Sequence, residues 1–212
     1  MLALNAENAW IFRITHVDNV PWILGNGLHC CNSTCHDPNF RQIGNPDLIS
    51  KRAHRPVPIA PKGTLSDYVP FYFTPHSPML LNIKTGWNGM KQTPMQDIAI
   101  VVTSLHKIVE EGLDYVFTDR HAYVQAAQYF DGLEELERID WDLLENRDFK
   151  RDPEDPGKAE RYQAEALVHK VVPINAVLGI TCYAAPQQAK VEKEIANLSL
   201  QIQVATRPGW YF

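Results

Sequence analysis

Long hydrophobic runs and the common phosphate-binding and nucleophile motifs are absent from this sequence. No apolar stretch approaches the ~20 residues that a helix needs to cross a bilayer. The first residues, MLALNAENAWIF, have neither the basic region nor the small-residue cleavage site of a secretory signal. The patterns GxGxxG, GxxxxGK(S/T) and GxSxG do not occur. We therefore expect a cytoplasmic protein with no membrane-bound part, and neither a P-loop enzyme nor an α/β-hydrolase.

Cysteine is scarce and poorly spaced for disulfide bonds. Of the four cysteines, Cys30, Cys31 and Cys35 lie close together, and Cys182 is far away in the sequence. Adjacent cysteines such as Cys30 and Cys31 make a poor disulfide framework, so this usage favours a reducing cytoplasm.

Positive charge is also in deficit, because the formal net charge is -5. This argues against a general nucleic-acid coat protein, although a local basic groove remains compatible with it. A chain of 212 residues with 45% hydrophobic content can bury one sizeable core. We expect a single domain over residues 1–212 and a monomer.

The order of apolar segments predicts an α+β fold. Seven segments have β-type composition: AWIFRITHV, YVPFYFT, DIAIVVTSL, GLDYVFTD, the segment beginning at Glu165, NAVLGITCYA and LSLQIQV. Helices are predicted for NVPWILGNGL, with Asp18 as a plausible N-cap, and for RHAYVQAAQYFDGL, capped by Thr118 or Asp119. Residues 29–66 are irregular, and long irregular stretches in compact domains are often functional.

The segment HCCNSTCH, from His29 to His36, contains five potential metal ligands in eight residues. Zinc is one interpretation, and a metal-stabilised binding module would follow from it. The spacing, however, matches no C-x2-C pair, and no second pair appears downstream. The sequence therefore favours a protein that needs no metal.

Glu165 stands at the head of an apolar strand in ERYQAEALVHKVVP. With a period of two, Glu165, Leu167 and His169 share one face. Burying a carboxylate there is expensive unless a partner neutralises it. Two interpretations are open: an exposed strand end, or a functional carboxylate with a cationic partner.

The basic segment KRAHRP, from Lys51 to Pro56, has two interpretations as well. It is either a solvated loop or an anion site in which Arg52 or Arg55 binds phosphate or carboxylate. His16 shares a strand face with apolar neighbours, where a hydrogen-bonded core histidine is common.

Six segments together resemble the DarT family of bacterial toxins, which ADP-ribosylate single-stranded DNA. They occur in the family's order between about residue 10 and residue 180: FRITHVDNVPWILGNGL, ISKRAHRPVP, LSDYVPFYFTPHSPML, FTDRHA, IDWDLL and RYQAEALVH. The resemblance implies an ADP-ribosyltransferase fold, a split mixed β-sheet flanked by helices, with NAD in a cleft as co-substrate. It also implies a companion antitoxin whose macrodomain removes the modification.

By this resemblance the catalytic glutamate is Glu165. Glu160 lies in a similar Ala–Glu pair, but only Glu165 continues into a strand. A carboxylate there can stabilise the oxocarbenium-like centre that forms when the nicotinamide–ribose bond breaks. The family arginine corresponds best to Arg52, with Arg55 as the alternative, and it would hold the diphosphate or assist proton movement.

The resemblance also assigns residues to the NAD pocket. His16 would hold the ribose or nicotinamide region, and Asn19 and Gly27 would line the same pocket. Phe71 and Tyr72 are candidates for stacking on nicotinamide, although a plain core strand is the other interpretation.

For the DNA, the resemblance indicates that His121 and Arg161 face the incoming strand, with Arg55 in the same region. Because the total charge is acidic, local positive groups must bind the phosphates. The candidates are Lys51, Arg52, Arg55, Arg120, Arg147, Lys150, Arg151 and Arg161. The sequence does not identify the modified base, and transfer to RNA or protein is the alternative function.

Overall fold

The computed structural model of the protein describes residues 3–212, apart from the side chain of Asn88. Its strands are β1 (Trp10–His16), β2 (Leu28–His29), β3 (Tyr68–Tyr72), β4 (Ile98–Ser104), β5 (Tyr115–Thr118), β6 (Tyr129–Phe130), β7 (Glu165–His169), β8 (Val171–Val172), β9 (Gly179–Cys182) and β10 (Gln203–Thr206). Its α-helices are α1 (Val20–Asn26), α2 (Pro46–Arg52), α3 (Pro78–Thr85), α4 (Leu105–Glu110), α5 (Trp141–Glu145), α6 (Lys158–Arg161) and α7 (Ala185–Asn197).

The main sheet has eight strands in the order β10-β9-β4-β1-β3-β7-β5-β6, and β2 pairs with β8 in a separate ribbon. The β9–β10 pair is parallel, and α7 connects its two strands, while the other pairs are antiparallel. The sheet is therefore mixed and flanked by helices, so the predicted α+β fold is confirmed.

Within the main sheet, β1 and β3 are joined by very few paired residues. β1 pairs with β4 along its whole length, from Trp10↔Ser104 to His16↔Ile98. With β3, in contrast, it shares the single register pair Phe12↔Tyr72. The two strands diverge beyond that pair, and this split opens the space in which the functional site lies.

The apolar segments fill the core as their composition indicates. All residues of β4 are buried, as expected for a β-branched strand in the middle of a sheet. Tyr68 of β3, Leu167 of β7 and Val116 of β5 belong to a second, smaller cluster of buried residues. Within residues 3–212, no helix combines the length and the apolar composition that crossing a membrane requires.

The helix predicted for RHAYVQAAQYFDGL is wrong. Residues 120–128 form successive turns, and the chain returns as β6 with Phe130 opposite Phe117. Asp119 does not cap a helix, because its Oδ1 accepts the N–H of Gln128 at 3.0 Å across the turn. The hydroxyl of Tyr129 donates to the carbonyl of Ala122 at 2.7 Å. These tertiary contacts override the helical propensity of the segment.

Candidate active site

Glu165 is the first residue of β7 and is only 2% exposed. Nη1 of Arg52 donates to both of its oxygens, at 3.1 Å to Oε1 and 2.9 Å to Oε2. Oε1 also accepts the backbone N–H of Ala122 at 3.1 Å. The interpretation of Glu165 as an exposed strand end is therefore wrong. Its burial is tolerated because a cation and a backbone donor replace the lost water.

Arg52 is the last residue of α2, a helix that Asn45 caps by accepting the N–H of Leu48 at 3.2 Å. Its Nη2 is buried and has no hydrogen-bond partner among the described residues. Arg55 lies elsewhere and donates from Nη2 to the carbonyl of Val124 at 3.0 Å. Of the two arginines left open by the sequence, the structure therefore brings Arg52 to Glu165.

Glu160, the alternative carboxylate, lies outside this arrangement. Its side chain is 44% exposed, and its nearest cationic neighbour is Nη1 of Arg120 at 3.9 Å. The environment of Glu160 is that of a surface ion pair, which contributes little.

A cavity of about 330 Å³ opens in front of the carboxylate. Six of the side chains in its wall matter for the chemistry: Arg13, Arg52, Tyr72, Met79, His121 and Glu165. Residues of the irregular stretch, including Cys31 and Phe40, form the opposite wall. The long irregular stretch thus closes one side of the site. Its length predicted a functional role, but its residue types did not show which role.

Tyr72 lies directly opposite Glu165 in the antiparallel β3–β7 pair, so the two side chains share a face. Its hydroxyl is 3.8 Å from Sδ of Met79. Burial and then the charge of Glu165 raise the pKa of Tyr72 above its ordinary value, so the ring stays neutral. Phe71 belongs to the main core cluster and is 1% exposed. Of the two predicted stacking residues, only Tyr72 presents its ring on the side of the carboxylate.

His121 lies deeper than the sequence indicated. Its Nε2 is 3.9 Å from Oε1 of Glu165, and its Nδ1 accepts the N–H of Tyr123 at 3.2 Å. Burial lowers the pKa of His121, although the charge of Glu165 opposes the shift. The ring is therefore neutral at pH 7, with its proton on Nε2 facing the carboxylate.

Three residues predicted for the NAD pocket have structural contacts of their own. Nδ1 of His16 accepts the N–H of Asp18 at 3.1 Å. Among the described residues, neither His16 nor Asn19 lies in the cavity wall. Gly27 does, and its φ of +83° and a Cβ position 2.6 Å from the carbonyl of Val172 explain why only glycine fits there.

Asn19 fastens the loop that covers the cavity. Its Nδ2 donates to Oγ1 of Thr15 at 3.1 Å and to the carbonyl of Arg41 at 3.0 Å. Its Oδ1 accepts the N–H of Arg41 at 2.8 Å. The amide group is thus fully used, and Asn19 acts on a ligand only through the loop.

Arg161 is held by two carboxylates. It donates from Nε to Asp140 at 3.0 Å and from Nη1 and Nη2 to Asp155 at 3.0 and 2.6 Å. These partners raise the pKa of Arg161 and neutralise its charge. This arrangement argues against the prediction that Arg161 binds DNA. The contacts of Arg161 with Asp140 and Asp155 instead stabilise the loop before β7.

The segment HCCNSTCH shows no metal centre. The ring nitrogens of His29 lie 3.0 Å from Oγ of Ser33 and 3.0 Å from the carbonyl of Asn26. Within residues 3–212, no three His, Cys, Asp or Glu side chains gather as metal ligands would. The zinc interpretation therefore has no structural support.

Comparison with known proteins gives one consistent family. The family model described as "DarT: ssDNA thymidine ADP-ribosyltransferase" matches residues 12–212. The chain is 50% identical to a DNA ADP-ribosyl transferase of Escherichia coli O127:H6, over 99% of this chain and 96% of the relative. It is 26% identical to a DNA ADP-ribosyl transferase–DNA ADP-ribosyl glycohydrolase fusion protein of Thermosipho africanus, over 95% of this chain and 49% of the fusion.

Solved structures agree with this assignment. Thermus sp. 2.9 DarT in complex with ADP-ribosylated ssDNA superposes with a TM-score of 0.89 at 34% identity, covering 97% of each chain. The same protein in complex with NAD+ gives a TM-score of 0.84 at 34% identity, covering 97% of this chain and 98% of that one. The chain therefore belongs to the DarT family of ssDNA thymidine ADP-ribosyltransferases.

Proposed function

We propose that this protein transfers ADP-ribose from NAD to thymidine in single-stranded DNA and releases nicotinamide. The observation that carries the proposal is the buried Arg52–Glu165 pair at the floor of the cavity, with two hydrogen bonds from one guanidinium nitrogen. Such a buried pair is costly for stability alone, and strained or costly electrostatics often mark functional sites. The family description supplies the substrate class.

Glu165 is the catalytic carboxylate in this proposal. As the bond between C1′ of the ribose and nicotinamide breaks, positive charge develops on the sugar, and a fixed carboxylate stabilises it. Its position at the start of a strand, held also by the N–H of Ala122, preorganises the oxygens. The nicotinamide leaves with the electron pair of the broken bond.

The attacking atom comes from the base. A thymine base has one ring nitrogen that carries a proton, N3, and a bond from N3 to C1′ requires that this proton leave. The carboxylate of Glu165 is the base that accepts this proton, Arg52 holds that carboxylate in place, and neutral His121 lies beside them. Arg52 orients the carboxylate through Nη1, and its buried Nη2 has no hydrogen-bond partner among the described residues.

Tyr72 stacks on nicotinamide in this proposal. It shares a face with Glu165, so an aromatic ring bound to C1′ of the ribose meets the phenol ring of Tyr72. Sδ of Met79 contacts the tyrosine hydroxyl at 3.8 Å. Gly27 lines the cavity that holds the dinucleotide, and Asn19 and His16 position the surrounding loops.

The DNA strand enters along a more open, basic groove next to the carboxylate. Lys51, His54 and Arg55 form one wall of this groove, and Tyr123 with Val124 forms the other. Ala122, which precedes Tyr123 in the chain, donates its N–H to Glu165, so one wall of the groove is directly attached to the catalytic carboxylate. Positive charge with an aromatic ring is the usual composition of a single-strand binding surface.

In the cell, the protein acts as the toxin of a toxin–antitoxin system. The Thermosipho relative joins a transferase and a DNA ADP-ribosyl glycohydrolase in one chain, which favours a separate macrodomain partner of that activity here. We place the protein in the cytoplasm, where its DNA substrate and NAD occur together. It works as a monomer built from one domain, residues 1–212, without a metal.

The test is transfer of label from NAD to four polymers: single-stranded DNA, the same DNA annealed to its complement, RNA and a protein mixture. We expect label on single-stranded DNA that contains thymidine and none on the same strand with every thymidine replaced. Label only on RNA or protein would instead support the alternative transferase. Expression in a bacterial host should be toxic, and co-expression of a macrodomain glycohydrolase should relieve the toxicity.

A further inference from the structure

Two exposed thiols, those of Cys31 and Cys35, lie in the wall of the cavity. Both are free, and the transfer reaction described above assigns neither a role. Three residues separate them within a turn, in which the N–H of Ser33 donates to the carbonyl of Cys30 at 3.2 Å. The cysteine-rich segment that the reaction leaves unused is therefore part of the ligand cavity.

The other two thiols are protected by burial. The side chains of Cys30 and Cys182 are buried. Burial raises the pKa of Cys30, and it raises the pKa of Cys182 to about 11. Both thiols therefore stay protonated at neutral pH, and the thiolate is the form that reacts. Exposure thus divides the cysteines into an accessible pair, Cys31 and Cys35, and an inert pair.

The backbone around Cys31 is bound to the rest of the protein on both sides. Nδ2 of Asn32 donates to Oδ1 of Asp67 at 3.1 Å. The N–H of Cys30 donates to the carbonyl of Lys170 at 2.8 Å. Because the residues before and after it are both held by contacts outside the loop, the position of Cys31 is fixed.

Cys35 lies in a part of the loop that is held less firmly. The next residue bound outside the loop is Arg41, through its two hydrogen bonds with Asn19. Between these anchors, the hydrogen bonds that the structure gives residues 34–40 stay inside the loop. The N–H of Cys35, for example, donates at 3.0 Å to the hydroxyl oxygen of the serine two residues before it. Cys35 can therefore approach Cys31 without breaking a hydrogen bond to the sheet.

A cation lies close to Cys31 in the cavity. Nη1 of Arg13 donates to the carbonyl of Pro70 at 2.9 Å, and the side chain forms part of the cavity wall. Burial and repulsion from Arg52 lower the pKa of Arg13 to about 10, and the interaction with Cys31 opposes this change. Arg13 is still charged at neutral pH, so it attracts small anionic molecules toward Cys31.

We propose that Cys31 and Cys35 form a thiol–disulfide pair that reacts with small anionic disulfides, and that the oxidised protein binds its dinucleotide more weakly. The second part rests on the proposed function, which assigns the dinucleotide to this cavity. A disulfide bond fixes the separation of the two residues and so restrains residues 34–40. Since His36 and Phe40 of the cavity wall belong to this stretch, the wall no longer adjusts around a ligand. Disulfides inside cells are usually transient and often serve as redox sensors.

The reaction proceeds by two thiol–disulfide exchanges. The thiolate of Cys31 attacks one sulfur of the small disulfide, a bond from Cys31 to that sulfur forms, and the original S–S bond breaks. The departing thiolate takes up the proton that Cys31 released. Cys35 then attacks Sγ of Cys31 and expels the second small thiol, which takes up the proton of Cys35. Two protein thiols are thereby oxidised, and one small disulfide is reduced to two thiols.

The experiment treats the purified, reduced protein with glutathione disulfide and maps the cysteines by peptide mass spectrometry. We expect a bond between Cys31 and Cys35, with Cys30 and Cys182 left as thiols. Calorimetric titration with ADP-ribose, without DNA, then compares each protein with itself before and after oxidation. Oxidation should weaken binding by at least about tenfold, the size of one lost hydrogen bond to a charged group, and dithiothreitol should restore the affinity.

Two variants serve as controls, and urea unfolding checks that each is folded. In Cys35→Ser, the reaction should stop at a mixed disulfide of Cys31 with glutathione, because no second thiol resolves it. The double variant Cys31→Ser, Cys35→Ser should bind ADP-ribose equally well before and after oxidation. It keeps both buried thiols, so it shows whether they contribute.

The proposal is overturned if glutathione disulfide does not join Cys31 to Cys35, or if the joined protein binds ADP-ribose as the reduced protein does. It is equally overturned if oxidation weakens binding in the double variant, since another group then carries the effect. ADP-ribose binding that oxidation weakens, without transfer to DNA, would refute the proposed function alone. Transfer to DNA, with ADP-ribose binding that oxidation leaves unchanged, would refute this inference alone.

Discussion

Arg52 and Glu165 are 113 residues apart in the sequence, yet Nη1 of Arg52 lies 2.9 Å from Oε2 of Glu165. The contact joins the end of a short helix in the irregular stretch to the first residue of β7. Because both groups are almost fully buried, each charge offsets the desolvation cost of burying the other. Substitution of either residue therefore affects folding as well as chemistry, and the variants must separate the two effects.

For Glu165, we expect Glu165→Gln to reduce transfer to DNA by at least about a hundredfold, as for other groups that stabilise transition-state charge. The amide keeps the shape of the side chain, so NAD binding should change little. Glu165→Ala should also lose about 3–5 kcal/mol of unfolding free energy, because Arg52 is left buried without a partner. Single-turnover transfer and urea unfolding measure the two effects.

Glu160→Gln is the control for this prediction, since Glu160 makes only a long contact with Arg120 at the surface. It should retain wild-type transfer. Full activity in Glu165→Gln together with loss in Glu160→Gln would show that the wrong carboxylate was chosen.

For Tyr72, the ring and not the hydroxyl should matter. The hydroxyl contacts only a weak acceptor, Sδ of Met79 at 3.8 Å. Tyr72→Phe should therefore keep NAD turnover within a few-fold of the wild type, whereas Tyr72→Ala should reduce it by about tenfold, the size of a lost stacking contact. Steady-state release of nicotinamide is the measurement. A strong loss in Tyr72→Phe would contradict stacking and indicate a role for the hydroxyl.

For DNA binding, affinity should fall steeply with salt, with a slope in the logarithmic plot of about −0.7 for each phosphate contacted on a single strand. Lys51→Gln and Arg55→Gln should each reduce that slope and weaken DNA binding without changing NAD affinity. Arg161→Gln should act differently, by lowering stability, because Arg161 is held by Asp140 and Asp155. Fluorescence anisotropy of a labelled oligonucleotide at several salt concentrations distinguishes these outcomes. A slope that neither groove variant alters would exclude the groove as the DNA site.

For pH, His76 should make the protein less stable in mild acid. Its Nε2 donates to the carbonyl of Gly209 at 2.8 Å, and burial lowers the pKa of His76 to about 4. The unfolded chain takes up a proton near pH 6.5, whereas the folded protein does so only near pH 4. Stability is therefore fully present above pH 6.5 and falls as the pH decreases through this window, by at most about 1.4 kcal/mol per pH unit.

The check on His76 is urea unfolding of the wild type and of His76→Gln between pH 7.5 and 4.5. The variant should lose part of the pH dependence, while the exposed His106→Gln should keep all of it. Parallel pH profiles for the wild type and His76→Gln would contradict this assignment.

Much of the fold could be predicted from the sequence because the signals are local. The segments of β-type composition contain β1, β3, β4, β5, β7 and β9, and NVPWILGNGL contains α1, whereas β10 begins only at the last two residues of LSLQIQV. The helix α7 was missed, although Pro186 in its first turn and the buried pair Val191 and Ile195 are local signals of a helix. The false helix after β5 shows the limit of such signals, since Asp119 and Tyr129 hold that segment in turns through contacts across the chain.

The site was predictable to a similar degree. A carboxylate at the head of an apolar strand required a cation, and the family resemblance then assigned the two roles to Glu165 and Arg52. It could not show that His121 lies against the carboxylate, because this depends on the turns after β5. The sequence places Arg13 as a charged residue on one face of an apolar strand. Its position in the cavity wall depends on where β1 and β3 diverge, and no local sequence pattern predicts that divergence.

The single register pair between β1 and β3 has a mechanical consequence. One half of the main sheet carries Tyr72 and Glu165, and the other carries Arg13 and Thr15. A ligand that contacts both halves bridges the junction, so its binding free energy stabilises the whole folded sheet. Occupancy of the cavity then determines how stable the association between the two halves of the sheet is.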